Sequence, residues 1–168
     1  MRWLVDGYNV IRRDPDLRAH EAESLEAGRT ALLRLVAHAA RAKGDRFTVV
    51  FDGAPASGPR SAGGQVEVIF SRPPDKADDV LVRLARQLGV GAAVVTSDRA
   101  VGDAAGRVGC SVISADRFLG ALSAASASEP EKDDDEEDQP KRDKRGNPRR
   151  LSKEARAAQR ALRRLRPP

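Results

Sequence analysis

Short apolar segments alternate with helical segments over most of this chain, and that alternation limits the possible folds more than any other feature. The strand-like segments are rich in β-branched or small apolar residues and cover residues 3–5, 47–51, 66–70, 92–95 and 110–113. Apolar residues recur at helical spacing over residues 27–43 and 75–88, and shorter helices are predicted over 99–107 and 116–122. Strands that alternate with helices are typical of a largely parallel sheet covered on both faces, an α/β fold of three layers.

The link between the second and third strands departs from this pattern. Residues 52–64 are dominated by glycine, proline and serine and show no helical period. A parallel pair of strands normally needs a long crossover, usually a helix. The link is therefore either a bare crossover or a sign that the third strand runs antiparallel.

Composition excludes several classes of protein. The 168 residues suit one domain with an appendage, and 40% of them are hydrophobic, enough for a core. The one cysteine, Cys110, excludes an internal disulfide framework and fits a reducing cytoplasm. No signal peptide, membrane span or nucleotide-cofactor fingerprint is recognisable, so we expect a cytoplasmic protein that contacts neither a membrane nor a nucleotide cofactor.

Charge is distributed unevenly along the chain. Residues 1–122 carry 17 basic and 15 acidic residues, residues 129–138 carry eight acids and one lysine, and residues 141–168 carry 12 basic residues and two acids. We therefore divide the chain into a folded domain (1–122), an acidic disordered linker (123–140) and a basic tail (141–168). Residues 151–165 could form a helix with Ala155, Ala158, Leu162 and Leu165 on one side, but so many arginines predict a disordered or marginally helical tail that binds a polyanion.

The aspartates fall at the ends of the predicted strands. Asp6, Asp52, Asp98 and Asp116 each follow a strand, while Asp75, Asp78 and Asp79 open the helix after the third strand. In a parallel sheet these positions share the carboxyl edge, where ligands bind. Clustered carboxylates favour Mg²⁺ or Mn²⁺ over zinc. Each aspartate alone also fits a plain structural role, because Asp-Gly pairs form turns and aspartates cap helices.

Four motifs, taken together, resemble a known family. Val5-Asp6-Gly7-Tyr8-Asn9-Val10, Val50-Phe51-Asp52-Gly53, Lys76-Ala77-Asp78-Asp79-Val80-Leu81 and Thr96-Ser97-Asp98-Arg99 occur in this order within residues 2–122. They resemble the YacP-like branch of the NYN domains, relatives of PIN-domain and flap-type nucleases. The resemblance implies a PIN-like three-layer α/β/α fold with about five mostly parallel strands, and metal-dependent endonuclease activity on RNA.

The resemblance also implies roles for individual residues. The catalytic, metal-binding acids would be Asp6, Asp98 and the pair Asp78 and Asp79, either of which matches the motif, with one or two Mg²⁺ or Mn²⁺ ions. Supporting roles would fall to Asn9, Asp52 and Ser97. The chain has Lys76 where flap-type nucleases often carry a glutamate, so it brings one acid fewer.

RNA must still be held beside this acidic pocket. Basic residues near the strand ends could contact phosphates, and Tyr8 could either stack on a base or pack within its own turn. The candidates are Tyr8, Arg12, Arg13, Arg60, Arg72, Lys76 and Arg99, together with Arg149 and Arg150 in the tail.

Three functions remain open on these residues. The first is a metal-dependent endoribonuclease whose basic tail increases affinity for RNA or the ribosome. The second is a non-catalytic RNA- or ribosome-binding adaptor with the same fold. The third is a metal-dependent phosphohydrolase of small phosphoesters, which the absence of an Asp-x-Asp motif after the first strand disfavours.

Overall fold

A computed structural model describes residues 1–53, 64–126 and 153–165 of the chain. Within these ranges five strands alternate with helices as the sequence predicts. The strands are β1 (Arg2–Asp6), β2 (Arg46–Phe51), β3 (Val66–Phe70), β4 (Ala92–Val95) and β5 (Ser111–Ile113). The helices are α1 (Gly7–Ile11), α2 (Pro15–Glu23), α3 (Leu25–Lys43), α4 (Ala77–Leu88), α5 (Arg99–Arg107), α6 (Ala115–Ser126) and α7 (Lys153–Leu165).

The strands form one parallel sheet in the order β3-β2-β1-β4-β5. Val49 of β2 pairs with Val68 of β3 in parallel register, which settles the direction of the third strand in favour of a crossover. The order runs outward from β1 in both directions, so the chain reverses its winding beside β1 and β4. In open parallel sheets this reversal opens a crevice at the carboxyl ends of the strands.

Each face of the sheet packs against its own set of helices, which confirms the three-layer α/β/α architecture. One face carries Trp3, Val5, Phe47 and Phe51, and it packs with buried residues of α3, α6 and α7. The other face carries Leu4, Val50 and Val94 and packs with α4 and α5. Because side chains alternate between faces along a strand, the even-numbered residues of β1, β2 and β4 all point toward α4 and α5.

Two short helices were not anticipated from the sequence. The first, α1, has only five residues and starts directly at the end of β1, where the Asp6 side chain caps it. The second, α2, begins at Pro15 after the Asp14 cap and buries only Leu17, so it lacks the repeated apolar positions that reveal a longer helix. The longer helix α3 ends as predicted at Gly44, whose φ of +67° suits a residue without a Cβ.

The C-terminal segment, predicted to be disordered or marginally helical, contains a helix over Lys153–Leu165. Helix α7 packs on the same core as α3 and α6, and Ala158, Ala161, Leu162 and Leu165 are buried. The apolar stripe seen in the sequence is real, and the fold supplies the apolar surface that covers it. The ordered part of the domain therefore includes α7, and α6 extends to Ser126, beyond the predicted boundary at residue 122.

Across the described part of the chain, no helix combines the length and the apolar character needed to cross a bilayer. Residues 127–140 of the predicted acidic linker (123–140) and residues 141–152 of the predicted basic tail (141–168) lie outside the described residues.

Candidate metal and RNA site

Strand periodicity places the first acids on one side of the carboxyl edge. Asp6 follows the buried Leu4 by two residues, Asp52 follows Val50, and Thr96 follows Val94, so all three extend the face that packs on α4 and α5. Asp6 is 8% exposed, whereas Asp52 is exposed. Helices α4 and α5 begin at the same edge and bring in the remaining aspartates.

Asp6 is held by hydrogen bonds to both of its carboxylate oxygens. The backbone N–H of Asn9 donates to Oδ1 at 3.2 Å, and the Thr96 hydroxyl donates to Oδ2 at 3.1 Å. The same Thr96 Oγ1 accepts the backbone N–H of Asp98 at 3.0 Å. One hydroxyl therefore links the end of β1 to the start of α5 and fixes Asp6 relative to Asp98.

Asn9 and Ser97, the predicted supporting residues, form a second link across the edge. The Asn9 side-chain oxygen accepts the backbone N–H of Ser97 at 2.8 Å. The Ser97 hydroxyl in turn accepts the N–H of Ala115 at 3.3 Å. These contacts tie α1 to the end of β4 and to the start of α6, so both residues hold the loop that carries Asp98.

The exposed aspartates at the starts of α4 and α5 differ in how many backbone hydrogen bonds their side chains accept. Asp98 caps α5, and its Oδ1 accepts the N–H groups of Ala100 and Val101 at 2.8 and 3.0 Å. Asp79 Oδ2 accepts the N–H of Lys76 at 3.0 Å. Asp78 accepts no hydrogen bond from any described residue, which leaves its whole carboxylate open to a ligand.

The charges of these aspartates act on one another. Burial raises the pKa of Asp6 above its ordinary value; hydrogen bonds from Asn9 and Thr96 oppose the rise, and the charges of Asp78 and Asp98 add to it. Burial also raises the pKa of Asp78, followed by the charges of Asp98, Asp79 and Asp52, while Lys76 opposes them. The charges of Asp78 and Asp98 therefore act on Asp6. Lys76 lies close enough to Asp78 to oppose the rise in its pKa.

Asp52 stabilises this edge by hydrogen bonds to the segment that runs from β3 into α4. Its Oδ1 accepts the Ser71 hydroxyl at 2.5 Å and the backbone N–H of Ala77 at 3.3 Å. These bonds join the end of β2 to the start of α4, which presents Asp78. Asp116, by contrast, lies exposed in the first turn of α6 and is not among the main causes that raise the pKa of Asp6 or of Asp78.

The donor chemistry of this edge suits a hard divalent cation. Carboxylate oxygens from Asp6, Asp78 and Asp98 are the ligands that Mg²⁺ and Mn²⁺ prefer. A cation would relieve the like-charge repulsion that adds to burial in raising the pKa of Asp6 and of Asp78. In the described ranges, however, no three such side chains already stand close enough to hold one ion together. The residue types therefore fit a metal, whereas a closed coordination shell is not formed.

Two open grooves are lined in part by the aspartates of this edge. One, of about 660 Å³, is lined by residues of α4 and α5 that include Asp78, Asp79 and Arg83. The other, of about 890 Å³, is lined by Asp98 and also by Glu154 of α7. The aspartates at the starts of α4 and α5 are therefore accessible from open grooves.

The predicted RNA contacts are only partly covered by the described residues. Arg12, Arg13, Arg72, Lys76 and Arg99 are exposed, and Arg99 lies 3.8 Å from Asp103. Tyr8 is half-buried, with its ring edge-on to Phe51 at 5.3 Å and its hydroxyl bonded to Arg29. Arg60, Arg149 and Arg150 lie outside the described residues.

Sequence reasoning passed over three residues that organise this edge: Thr96, Ser71 and Arg29. Thr96 and Ser71 stand directly after or beside a strand end, a position from which a hydroxyl can bridge two carboxyl-edge loops. Arg29 carries no such signal, because its aromatic neighbours come from α1, β2 and β3, all distant in sequence.

An all-parallel sheet in this order, with acids at its carboxyl edge and helices on both faces, defines a PIN-like domain. The YacP-like NYN domain model matches residues 3–164, and the chain belongs to that family, which is known for ribonucleases. The match extends into α7, consistent with its place in the core.

Solved and curated relatives agree with this assignment. The crystal structure of Rae1 (YacP) from Bacillus subtilis has a TM-score of 0.64 and 33% identity over 73% of this chain and 74% of that chain. A mutant of the same protein gives 0.63 and 32% over the same shares. A curated relative, the uncharacterized protein YacP of Bacillus subtilis (strain 168), is 37% identical over 87 residues. The chain spans about half the length of that curated relative (51%).

Proposed function

We propose that this chain is an endoribonuclease that requires Mg²⁺ or Mn²⁺ and hydrolyses RNA phosphodiester bonds at the carboxyl edge of its sheet. The supporting observation is that Asp78 and Asp98, from two separate elements, lie close enough to Asp6 for their charges to add to the rise in its pKa that burial causes. Membership of a ribonuclease family supports the choice of RNA. Divalent metals are in general use among nucleases of this class.

In this proposal Asp6, Asp78 and Asp98 hold the metal, with Asp79 beside them. When bound, a divalent cation lowers the pKa of water and stabilises negative charge on the phosphoryl and leaving oxygens. Water adds to phosphorus, the bond from phosphorus to one ester oxygen breaks, and that oxygen takes up a proton. The chain itself offers no histidine base among the residues at this edge.

The remaining residues keep the acids in place. Thr96 orients Asp6 and restrains the backbone of Asp98, while Asn9 anchors Ser97. Asp52 and Ser71 set the start of α4, from which Asp78 projects. Arg12, Arg13, Lys76 and Arg99 would contact RNA phosphates on either side, and the tail residues Arg149 and Arg150 would add affinity for RNA or for a ribonucleoprotein such as the ribosome.

The test is incubation with mixed RNA in Mg²⁺, in Mn²⁺ and in EDTA, followed by mapping of the RNA ends. We expect internal cuts that depend on the metal and disappear in the Asp98→Asn variant. Asp116→Asn is the matched control, because it removes the same charge from the same edge without touching the acidic group. Equal cleavage by the parent and Asp98→Asn, or cleavage in EDTA, would contradict the proposal.

A non-catalytic RNA-binding adaptor is the second candidate. The observation that favours it is the lack, within the described ranges, of three acids already arranged around one ion. The same experiment separates the two, because an adaptor binds RNA with a steep salt dependence and gives no cleavage with either metal.

A further inference from the structure

A second polar feature lies at the carboxyl edge, on the face of the sheet opposite to the acids. Arg29, half-buried on α3, reaches the ends of three strands, where its guanidinium carbon lies 5.3 Å from the ring centroid of Tyr8, 5.6 Å from that of Phe51 and 5.1 Å from that of Phe70. We name these four residues the arginine–aromatic cluster. Arginine stacked on aromatic rings in this way is held by cation–π attraction.

Hydrogen bonding fixes the guanidinium within the cluster. Arg29 donates from Nε to the Tyr8 hydroxyl at 2.8 Å and also from Nη2 to the same oxygen. A guanidinium has five N–H groups, so three stay without a partner among the described residues. No carboxylate of the described residues lies within ion-pair distance of Arg29, although four other ion pairs are present there.

The cluster adjoins the acidic site through α1. Tyr8 follows Asp6 by two residues, and a Cβ at position 7 would overlap the Phe51 ring, so the turn after Asp6 lies directly against the cluster. The cluster thus faces α3 while the acids face α4 and α5, with the first turn of α1 between them. A polymer bound across the carboxyl edge beside Asp6 would therefore lie next to the cluster.

An arginine that is half-buried, oriented by its neighbours and lacking a carboxylate partner is suited to bind an anion. Its planar fork matches phosphate oxygens, and a preoriented fork loses less side-chain entropy on binding. We infer that Arg29, held by Tyr8, Phe51 and Phe70, binds a backbone phosphate of the RNA strand next to the scissile bond. This inference rests on the proposed function, since it takes the bound polymer to be RNA.

It also gives Tyr8 a positioning role. The hydroxyl of Tyr8 accepts two N–H groups of Arg29 and thereby fixes the orientation of the guanidinium. Tyr8→Phe keeps the ring and removes this acceptor, so we expect a weaker and less well-oriented phosphate contact with little change in the packing of Phe51.

The test is equilibrium binding of a fluorescent single-stranded RNA oligonucleotide in EDTA, where no metal-dependent cleavage occurs, as a function of salt. For single strands, log K falls with log salt by about 0.7 for each phosphate neutralised. We expect Arg29→Gln to reduce the slope by about 0.7 and to lower affinity at low salt. Arg29→Lys should keep most of the slope and lose affinity, because lysine offers a point charge instead of a fork.

Arg34→Gln is the matched control, because it removes the same charge from an exposed position of the same helix. An unchanged slope in Arg29→Gln, or an equal reduction in Arg34→Gln, would overturn the inference. Variants that are destabilised but still bind with the parental slope count against it as well, since that result assigns Arg29 to packing alone. If the parent binds no RNA, the proposed function itself fails, whereas metal-dependent cleavage with an unchanged Arg29→Gln slope refutes only this inference.

Discussion

Two buried aspartates lie at opposite ends of the sheet, and their surroundings shift their pKa values in opposite directions. Asp6 ends β1 at the carboxyl edge, and burial together with the charges of Asp78 and Asp98 raises its pKa. Asp45, 1% exposed, precedes β2 at the amino edge. Burial alone would raise the pKa of Asp45, but bonds from the N-terminal ammonium and the Trp3 indole, and the charges of that ammonium and Arg164, outweigh it and lower the pKa.

The difference separates a structural carboxylate from one available for chemistry. Asp45 is surrounded by donors and cations at 2.5, 3.0 and 3.4 Å, so its charge joins the N-terminus, β1 and α7. Asp6 accepts hydrogen bonds from two neutral donors and lies near other negatively charged side chains. A bound cation would relieve the repulsion between these charges. Perturbed carboxylates of the second kind are typical of functional sites.

The largest expected effect comes from making the same substitution, aspartate to asparagine, at each of the two positions and comparing the rates of RNA cleavage. Asp6→Asn should reduce metal-dependent RNA cleavage by about 10³-fold or more, since it removes a charged ligand of the metal. Asp45→Asn, assayed well below its unfolding temperature, should cut RNA at the parental rate. Initial cleavage rates at saturating Mg²⁺ measure both, and equal losses would erase the functional distinction between the two aspartates.

Stability should show the reverse pattern. Asp45→Asn leaves a buried indole N–H and two cations without their carboxylate, so we expect a loss of about 3 kcal/mol in the free energy of unfolding at pH 7. Urea denaturation followed by Trp3 fluorescence measures this loss. A cost below that of an ordinary surface substitution would mean that Asp45 does not organise the amino edge.

The pH dependence of that loss has a definite sign. Because the folded-state pKa of Asp45 is lowered, its stabilisation is complete above the ordinary value of 3.8 and disappears as the pH falls through the lowered pKa. The difference between the parent and Asp45→Asn should therefore be constant from pH 7 to about 5 and shrink below pH 3.8. A difference that shrinks between pH 7 and 5 would contradict the assignment.

A smaller effect of opposite sign is expected at Asp78. Its pKa is raised in the fold, so ionisation costs stability as the pH rises above 3.8 and through the raised pKa. Asp78→Asn should increase the free energy of unfolding at pH 7 by about 0.5 kcal/mol, a figure kept small because water screens this exposed side chain. Asp75→Asn, which loses the exposed 2.7 Å ion pair with Arg83, is the control and should not stabilise.

The smallest effect concerns the contact between α7 and the amino edge. Arg164 is 59% exposed and lies 3.4 Å from Asp45, so Arg164→Gln should cost about 0.3 kcal/mol. Leu165→Ala, at a fully buried position on the same helix, should cost about 3 kcal/mol. Thermal unfolding of the two variants compares charge with packing, and a larger loss from Arg164→Gln would reverse their order.

Much of this fold follows from local pattern. The strands at 92–95 and 66–70 and the helix at 99–107 have the predicted bounds, because their apolar runs and the Asp98 cap are continuous in sequence. The acids at the ends of β1, β2 and β4 follow from the same logic. Helices α1 and α2 could not be seen, since short helices depend on capping and on tertiary contacts more than on periodicity.

The remaining features depend on distant partners. Thr96 reaches Asp6 because β4 pairs with β1, 90 residues away in sequence, and Arg164 reaches Asp45 because α7 returns to the amino edge. Arginine content predicted a free tail, yet four apolar residues of α7 found a matching surface. Charge patterns predict which side of a segment is exposed to solvent. They do not predict whether the rest of the fold provides an apolar surface on which its other side can pack.

The docking of α7 changes how residues 127–152 are connected to the rest of the molecule. Helix α6 ends at Ser126 and α7 begins at Lys153, and both helices pack on one core, so the covalent link through residues 127–152 joins two helices of the same core. A cleavage site engineered between α6 and α7 should therefore yield two fragments that stay associated and separate only under denaturing conditions, because α7 packs on the core through its own buried residues.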